Sequence, residues 1–179
     1  MEKKILIGII VFILIWICLG LQVTFFNEIK LFGTAANIGI VLVVGIGLSS
    51  GRLPGILTGG VYGALADIMY GKTFGVYFLM YMLVGFASGE FSKGFSKENK
   101  LSMVYMVAAL TAIMEILVYL IFMLIYGYEF EPLSAFCIIL KESLYNMILA
   151  RILFKPLSGL GEIINKSKNS YYLLYERSG

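Results

Sequence analysis

The chain has 179 residues, 60% of them hydrophobic and 14% charged, with a mean hydropathy of +0.91 and a net charge of +3. That composition predicts an all-α integral membrane protein and leaves little sequence for a soluble domain. No basic patch interleaved with exposed aromatics suggests nucleic acid, and the lack of histidine removes His-based catalysis and His metal sites. Cys18 and Cys137 lie far apart inside apolar runs and read as small buried residues rather than a disulfide or a metal site.

Taken in order, Ile5–Leu21 follows a short charged start and is long enough to cross about 30 Å of hydrocarbon. No small-x-small site follows it, so it is read as an uncleaved first span. Residues 24–32 form a link in which Phe25, Phe26 and Phe32 suit the membrane interface. A second span is expected over Gly33–Ser49, with Asn37 near its outer end. Pro54 argues for a break near Ser49–Pro54, after which Gly55–Tyr70 forms the third span. Phe74–Phe91 is the fourth and Leu101–Tyr126 a long fifth. Ser134–Leu153 is the sixth, ended by Pro156. A hydrophilic loop at 92–100 and an acidic turn at 127–133 separate the later spans. The expected organisation is therefore a six-helix membrane domain over 1–156 and a mobile cytoplasmic tail over 157–179, carrying Tyr171, Tyr172 and Tyr175.

Eleven of the fourteen basic residues fall on one side of this arrangement: Lys3 and Lys4, Arg52, Lys93, Lys97 and Lys100, then Arg151, Lys155, Lys166, Lys168 and Arg177. By the positive-inside rule both termini face the cytoplasm.

Glycine spacing is the strongest local pattern. Gly47, Gly51, Gly55, Gly59 and Gly63 recur every fourth position, Asp67 takes the next slot, and Gly71 and Gly75 continue it. Gly85 and Gly89 repeat the interval in the fourth span. In lipid, where no hydrophobic drive draws helices together, small residues at this spacing make a groove for close backbone packing. Asp67 ends the groove and is expected to accept from backbone amides near Thr73–Gly75, where the next helix dipole favours an anion. Intramembrane polar residues form the other candidate set: Glu115 in the fifth span, with Lys141, Glu142 and Asn146 in the sixth. Folding these spans as a hairpin brings Glu115 within reach of Lys141 and predicts an ion pair. Two readings of that pair stand, a proton or ion relay and a register lock; the shortage of further titratable groups favours the lock. No enzyme motif is present: HExxH, G-x-S-x-G and phosphate-loop patterns are all missing, and no cofactor or metal is expected.

The run Gly59-Gly-Val-Tyr-Gly63-Ala-Leu-Ala-Asp67, followed by Gly71, Gly75 and Tyr81-Met-Leu-Val-Gly85-Phe-Ala-Ser-Gly89, resembles the core of the rod shape-determining MreD family. Ser143-Leu-Tyr-Asn-Met147 is similar to the closing helix of that family, whereas Ala35-Ala36-Asn37 departs from its proline-acid pattern. The resemblance implies a non-enzymatic scaffold of the cell-elongation machinery in a bacterial plasma membrane. It implies as partners MreC, the MreB filament, RodA and the class B penicillin-binding transpeptidase. It also implies a six-helix fold similar to the substrate-binding subunits of energy-coupling-factor vitamin transporters. Such a subunit is the second functional reading, disfavoured because Ile5–Leu21 lacks the small-residue docking face those subunits carry.

Overall fold

In the computed structural model the backbone of residues 2–30, 33–94, 100–127 and 131–176 is described, and side chains over 5–30, 33–92, 100–127 and 131–165. Phe32, the Lys93 side chain, Lys97, Glu98, Glu129, and the side chains of Tyr171, Tyr172 and Tyr175 lie outside the described residues. Within them the fold is six α-helices and no strand: α1 (Glu2–Leu21), α2 (Ile38–Ser50), α3 (Arg52–Tyr70), α4 (Val76–Glu90), α5 (Lys100–Tyr126) and α6 (Pro132–Glu176). A π-helical turn over Gln22–Phe26 prolongs α1 into the expected link, and a 3-10 turn over Phe91–Gly94 follows α4.

Helix α2 is the hub. Every residue from Ile38 to Ser50 is buried, with α1, α3, α4, α5 and α6 packed around it. Its sequence alternates large aliphatics with glycine, so it offers contact surface on all sides, as a fully buried helix must. Gly39 lies against the Tyr62 ring of α3, Gly45 against Leu157 and Met103, and Gly47 against Ser88 of α4.

Three helices are long and apolar enough to cross a membrane: Ile5–Phe26, Lys100–Tyr126 and Pro132–Asn165. The second expected span is shorter than its apolar run suggested. Asn37 is the N-cap of α2, its side chain accepting from the Ile40 amide at 3.2 Å, so the helix starts at Ile38 and not at Gly33. Gln22 holds the residues before it, donating to the Ala36 carbonyl at 2.9 Å and accepting from the Ile38 amide at 3.0 Å. The 13 residues of α2 rise only about 20 Å, and α4 has 15.

Two expected boundaries move for reasons that lie in proline. The break before α3 falls at Gly51, whose φ of +94° suits glycine, and α3 starts at Arg52. Pro54 is its third residue, where a missing N–H costs no helical hydrogen bond. Pro156 does not end α6, which runs unbroken to Glu176. Beyond it Leu157, Leu160 and Ile164 are buried in one stripe, Gly161 lies against Ser49, and the Asn165 amide donates to the Ser49 carbonyl at 2.6 Å. Packing on α2 offsets the lost backbone bond, so the tail expected from Leu157 is helical at its start.

Candidate functional site

The closest helix pair is α3 with α4, running antiparallel. A Cβ at Gly63 would lie 2.5 Å from the Tyr77 carbonyl oxygen, and one at Gly89 2.5 Å from Cα of Arg52. Gly59 faces the Tyr81 carbonyl in the same way, and Gly55 and Gly85 face each other's backbone. The four-residue interval on each helix keeps these positions on one stripe, so backbone meets backbone along the whole seam. Gly71 and Gly75 stand outside it. Gly71 is the C-cap of α3, folded against Asp67, while Gly75 turns the chain at φ +100° with open space where a side chain would go.

Asp67 closes the seam. Only 4% of the residue is exposed, yet both carboxylate oxygens are occupied: Oδ2 accepts from the Gly75 and Phe78 amides, each at 2.9 Å, and Oδ1 from the Tyr77 amide at 3.0 Å. These are amides at the start of α4 that have no carbonyl partner within the helix. A buried carboxylate at this end gains from three N–H groups and from the helix dipole together. Two of the three amides lie beyond the stretch the spacing pointed to, because the left-handed Gly75 wraps the first turn of α4 around the carboxylate. On the opposite end of the seam Arg52 and Glu90 form an ion pair, with the guanidinium also over the Phe86 ring at 5.9 Å.

A second polar group joins four helices. The Asn37 amide donates to Asn146 Oδ1 at 2.7 Å, and Asn146 Nδ2 donates to Thr111 Oγ1 at 3.1 Å. Tyr81 donates its hydroxyl to Asn37 Oδ1 at 2.7 Å. Asn146 is fully buried, so α2, α4, α5 and α6 are held in one register by satisfied groups. Sequence reasoning put Asn37 near the outer end of the second span and Asn146 among the intramembrane polar residues, but gave Thr111 and Tyr81 no polar role. Their only signal was a hydroxyl within an apolar helix.

The carboxylates of α5 and α6 are arranged differently. Glu142 is buried beside Asn146 and Asn37, and Glu115 is its electrostatic neighbour. Glu115 is half-buried, whereas Lys141 stands on the exposed face of α6. Among the described residues the expected Glu115–Lys141 ion pair is not formed, although Lys141 does have an interaction of its own. The physical reason is helical phase: Glu142 and Asn146 turn inward four residues apart, which rotates Lys141 away. Among the described residues no group of three or more Asp, Glu, Cys or His side chains could hold a metal ion.

The family model described as rod shape-determining protein MreD matches residues 2–163, which includes the seam, Asp67, the Asn37–Asn146 ties and α6 past Pro156. No curated protein and no solved structure matches the chain. With nearly its whole length matched, the chain belongs to the rod shape-determining MreD family.

Proposed function

We propose that the chain is a non-enzymatic membrane scaffold of the rod-shape machinery, joining cytoskeletal filaments to peptidoglycan synthesis. The family membership carries the role in shape determination. The scaffold reading is supported by one observation above the rest. The buried polar groups of the seam and of the four-helix tie spend their hydrogen bonds on other helices of the same chain. Such groups fix relative helix position and build a rigid platform. In this proposal residues 1–156 make six crossings of a bacterial plasma membrane and both termini are cytoplasmic. The partners are MreC, the MreB filament, RodA and the class B penicillin-binding transpeptidase, and the helix arrangement is akin to that of energy-coupling-factor substrate subunits.

Affinity capture of the full chain from mild detergent, with mass spectrometry of what co-purifies, tests this. Co-purification of the wall-synthesis proteins and the filament is expected. Recovery of ATPase and energising subunits instead would replace the scaffold with a transporter subunit.

A further inference from the structure

Helix α6 carries two cations on its outer face, at a level where its neighbours are apolar. Arg151 and Lys155, four residues apart, share one exposed stripe with Ile148 and Ile152. The packing fixes their level. Ser49, three residues before Arg52, lies against Gly161. Gly45 has Leu157 and Met103 as joint neighbours, which puts Lys100, at the start of α5, about one turn past Leu157. Lys100 and the Arg52–Glu90 pair thus mark a charged end of the bundle near Gly161. Arg151 stands ten residues earlier on α6, about 15 Å along the helix from that end. Among the described residues no acid reaches it. In the helices packed on α6, α1 from Ile5 to Leu21, all of α2, and α5 from Lys100 to Met114 contain no Asp or Glu. Along α6 the nearest acids, Glu142 and Glu162, are more than two turns away. The Arg151 guanidinium forms no ion pair among the described residues.

The outer face of a membrane helix meets lipid or another protein. Hydrocarbon offers no counter-charge, and ionisable groups at membrane depth face a partner rather than acyl chains. Lys155 is near enough to the charged end to snorkel there. Arg151 is not, because its Cα–Cβ bond tilts toward the N-terminus of α6, away from that end. A second copy of the chain fits poorly: a symmetric contact through this face would set Arg151 and Lys155 against their own copies. A guanidinium flanked by aliphatic side chains is matched by a carboxylate on another apolar helix, which it grips through two parallel hydrogen bonds. We propose that the Ile148–Lys155 face of α6 docks a transmembrane helix of another protein that presents an acidic side chain to Arg151. Docking of this kind presupposes that α6 crosses the membrane, as in the scaffold reading, and gives one partner contact of that scaffold its chemistry.

The test reconstitutes the full-length protein in phosphatidylcholine vesicles with a synthetic single-span leucine–alanine helix that carries one glutamate about 15 Å from its cytoplasmic end. A matched helix has glutamine there, and fluorescence energy transfer between labelled peptide and protein reads association. About tenfold tighter association of the glutamate helix is expected, as suits a charge-assisted hydrogen bond. Arg151→Gln should erase that preference, whereas Arg52→Gln, which removes a cation at the end of the bundle, should retain it. Arg151 is exposed, so Arg151→Gln should keep the wild-type thermal midpoint; should it unfold, the wild-type preference for glutamate over glutamine decides. Equal association of the two peptides overturns the proposal, as does an unchanged preference in folded Arg151→Gln. Loss of the wild-type preference on adding phosphatidylglycerol also overturns it and assigns Arg151 to an anionic headgroup. A dimer of the protein alone that Arg151→Gln dissolves overturns it in favour of a second copy. Arg151→Cys on a cysteine-free background separates docking from crossing. Protection from an impermeant maleimide together with equal association sinks the docking alone; labelling puts the position in water and overturns the crossing at this level as well.

Discussion

The α3–α4 seam and the α5–α6 hairpin solve opposite problems with the same residue types. In the seam a carboxylate is almost wholly buried, and three backbone amides meet it. In the hairpin Glu115 is half-buried, lines an open groove between α5 and α6, and has Glu142 as its electrostatic neighbour. The seam brings backbone against backbone through glycine; the hairpin keeps its long side chains and leaves space between them. A carboxylate that satisfies helix amides is architecture.

Breaking the seam should have the largest effect. Gly59→Leu must displace the Tyr81 carbonyl, part of a helix backbone that cannot rotate away, and about 3 kcal/mol of destabilisation is expected. Gly159→Leu, where nothing lies within 4 Å of the added carbon, should leave the thermal midpoint in detergent unchanged. Equal midpoints for both variants would remove the distinction between a packed and an unpacked helix face.

Asp67→Ala comes next, at about 2 kcal/mol, since three amides lose their acceptor. Asparagine should fall between alanine and wild type. Its single oxygen can keep the Gly75 and Phe78 amides, while its NH2 group opposes the Tyr77 N–H. Membrane-fraction blots and cell-shape complementation read both consequences. A well-inserted but inactive Asp67→Asn would instead indicate chemistry at the carboxylate.

The tie between the two regions is more modest. Asn146→Ala leaves the Asn37 amide and the Thr111 hydroxyl without their partner, and about 1–3 kcal/mol is expected from chemical denaturation. A double variant with Tyr81→Phe, read as a cycle, should show coupling through Asn37. Strict additivity would mean the four helices are held independently.

The smallest effect is expected at the Arg52–Glu90 pair, whose side chains are 59% and 34% exposed. Arg52→Gln should change stability by no more than about 1 kcal/mol, and less at high salt. A larger loss would show that the Gly51 end of the seam depends on charge more than on packing.

Much of this was legible without coordinates. The four-residue glycine interval, the carboxylate that ends it and the turn it reaches are local spacings, and an α-helix converts spacing into a face by its fixed 100° step. Long apolar runs likewise became α1, α5 and most of α6. What depended on distant contacts was not written in any one stretch. Asn37 shortens α2 because its side chain caps the helix while Gln22, fourteen residues before Ala36, ties down the preceding chain. Pro156 fails as a terminator because Leu157, Leu160 and Ile164 find α2 to pack on. Lys141 was placed opposite Glu115 by depth alone, and depth carries no information on rotation. The inward turn of Glu142 and Asn146, set by their neighbours on α2 and α5, decided which side chains meet, because helical phase is fixed by the packing of every face at once.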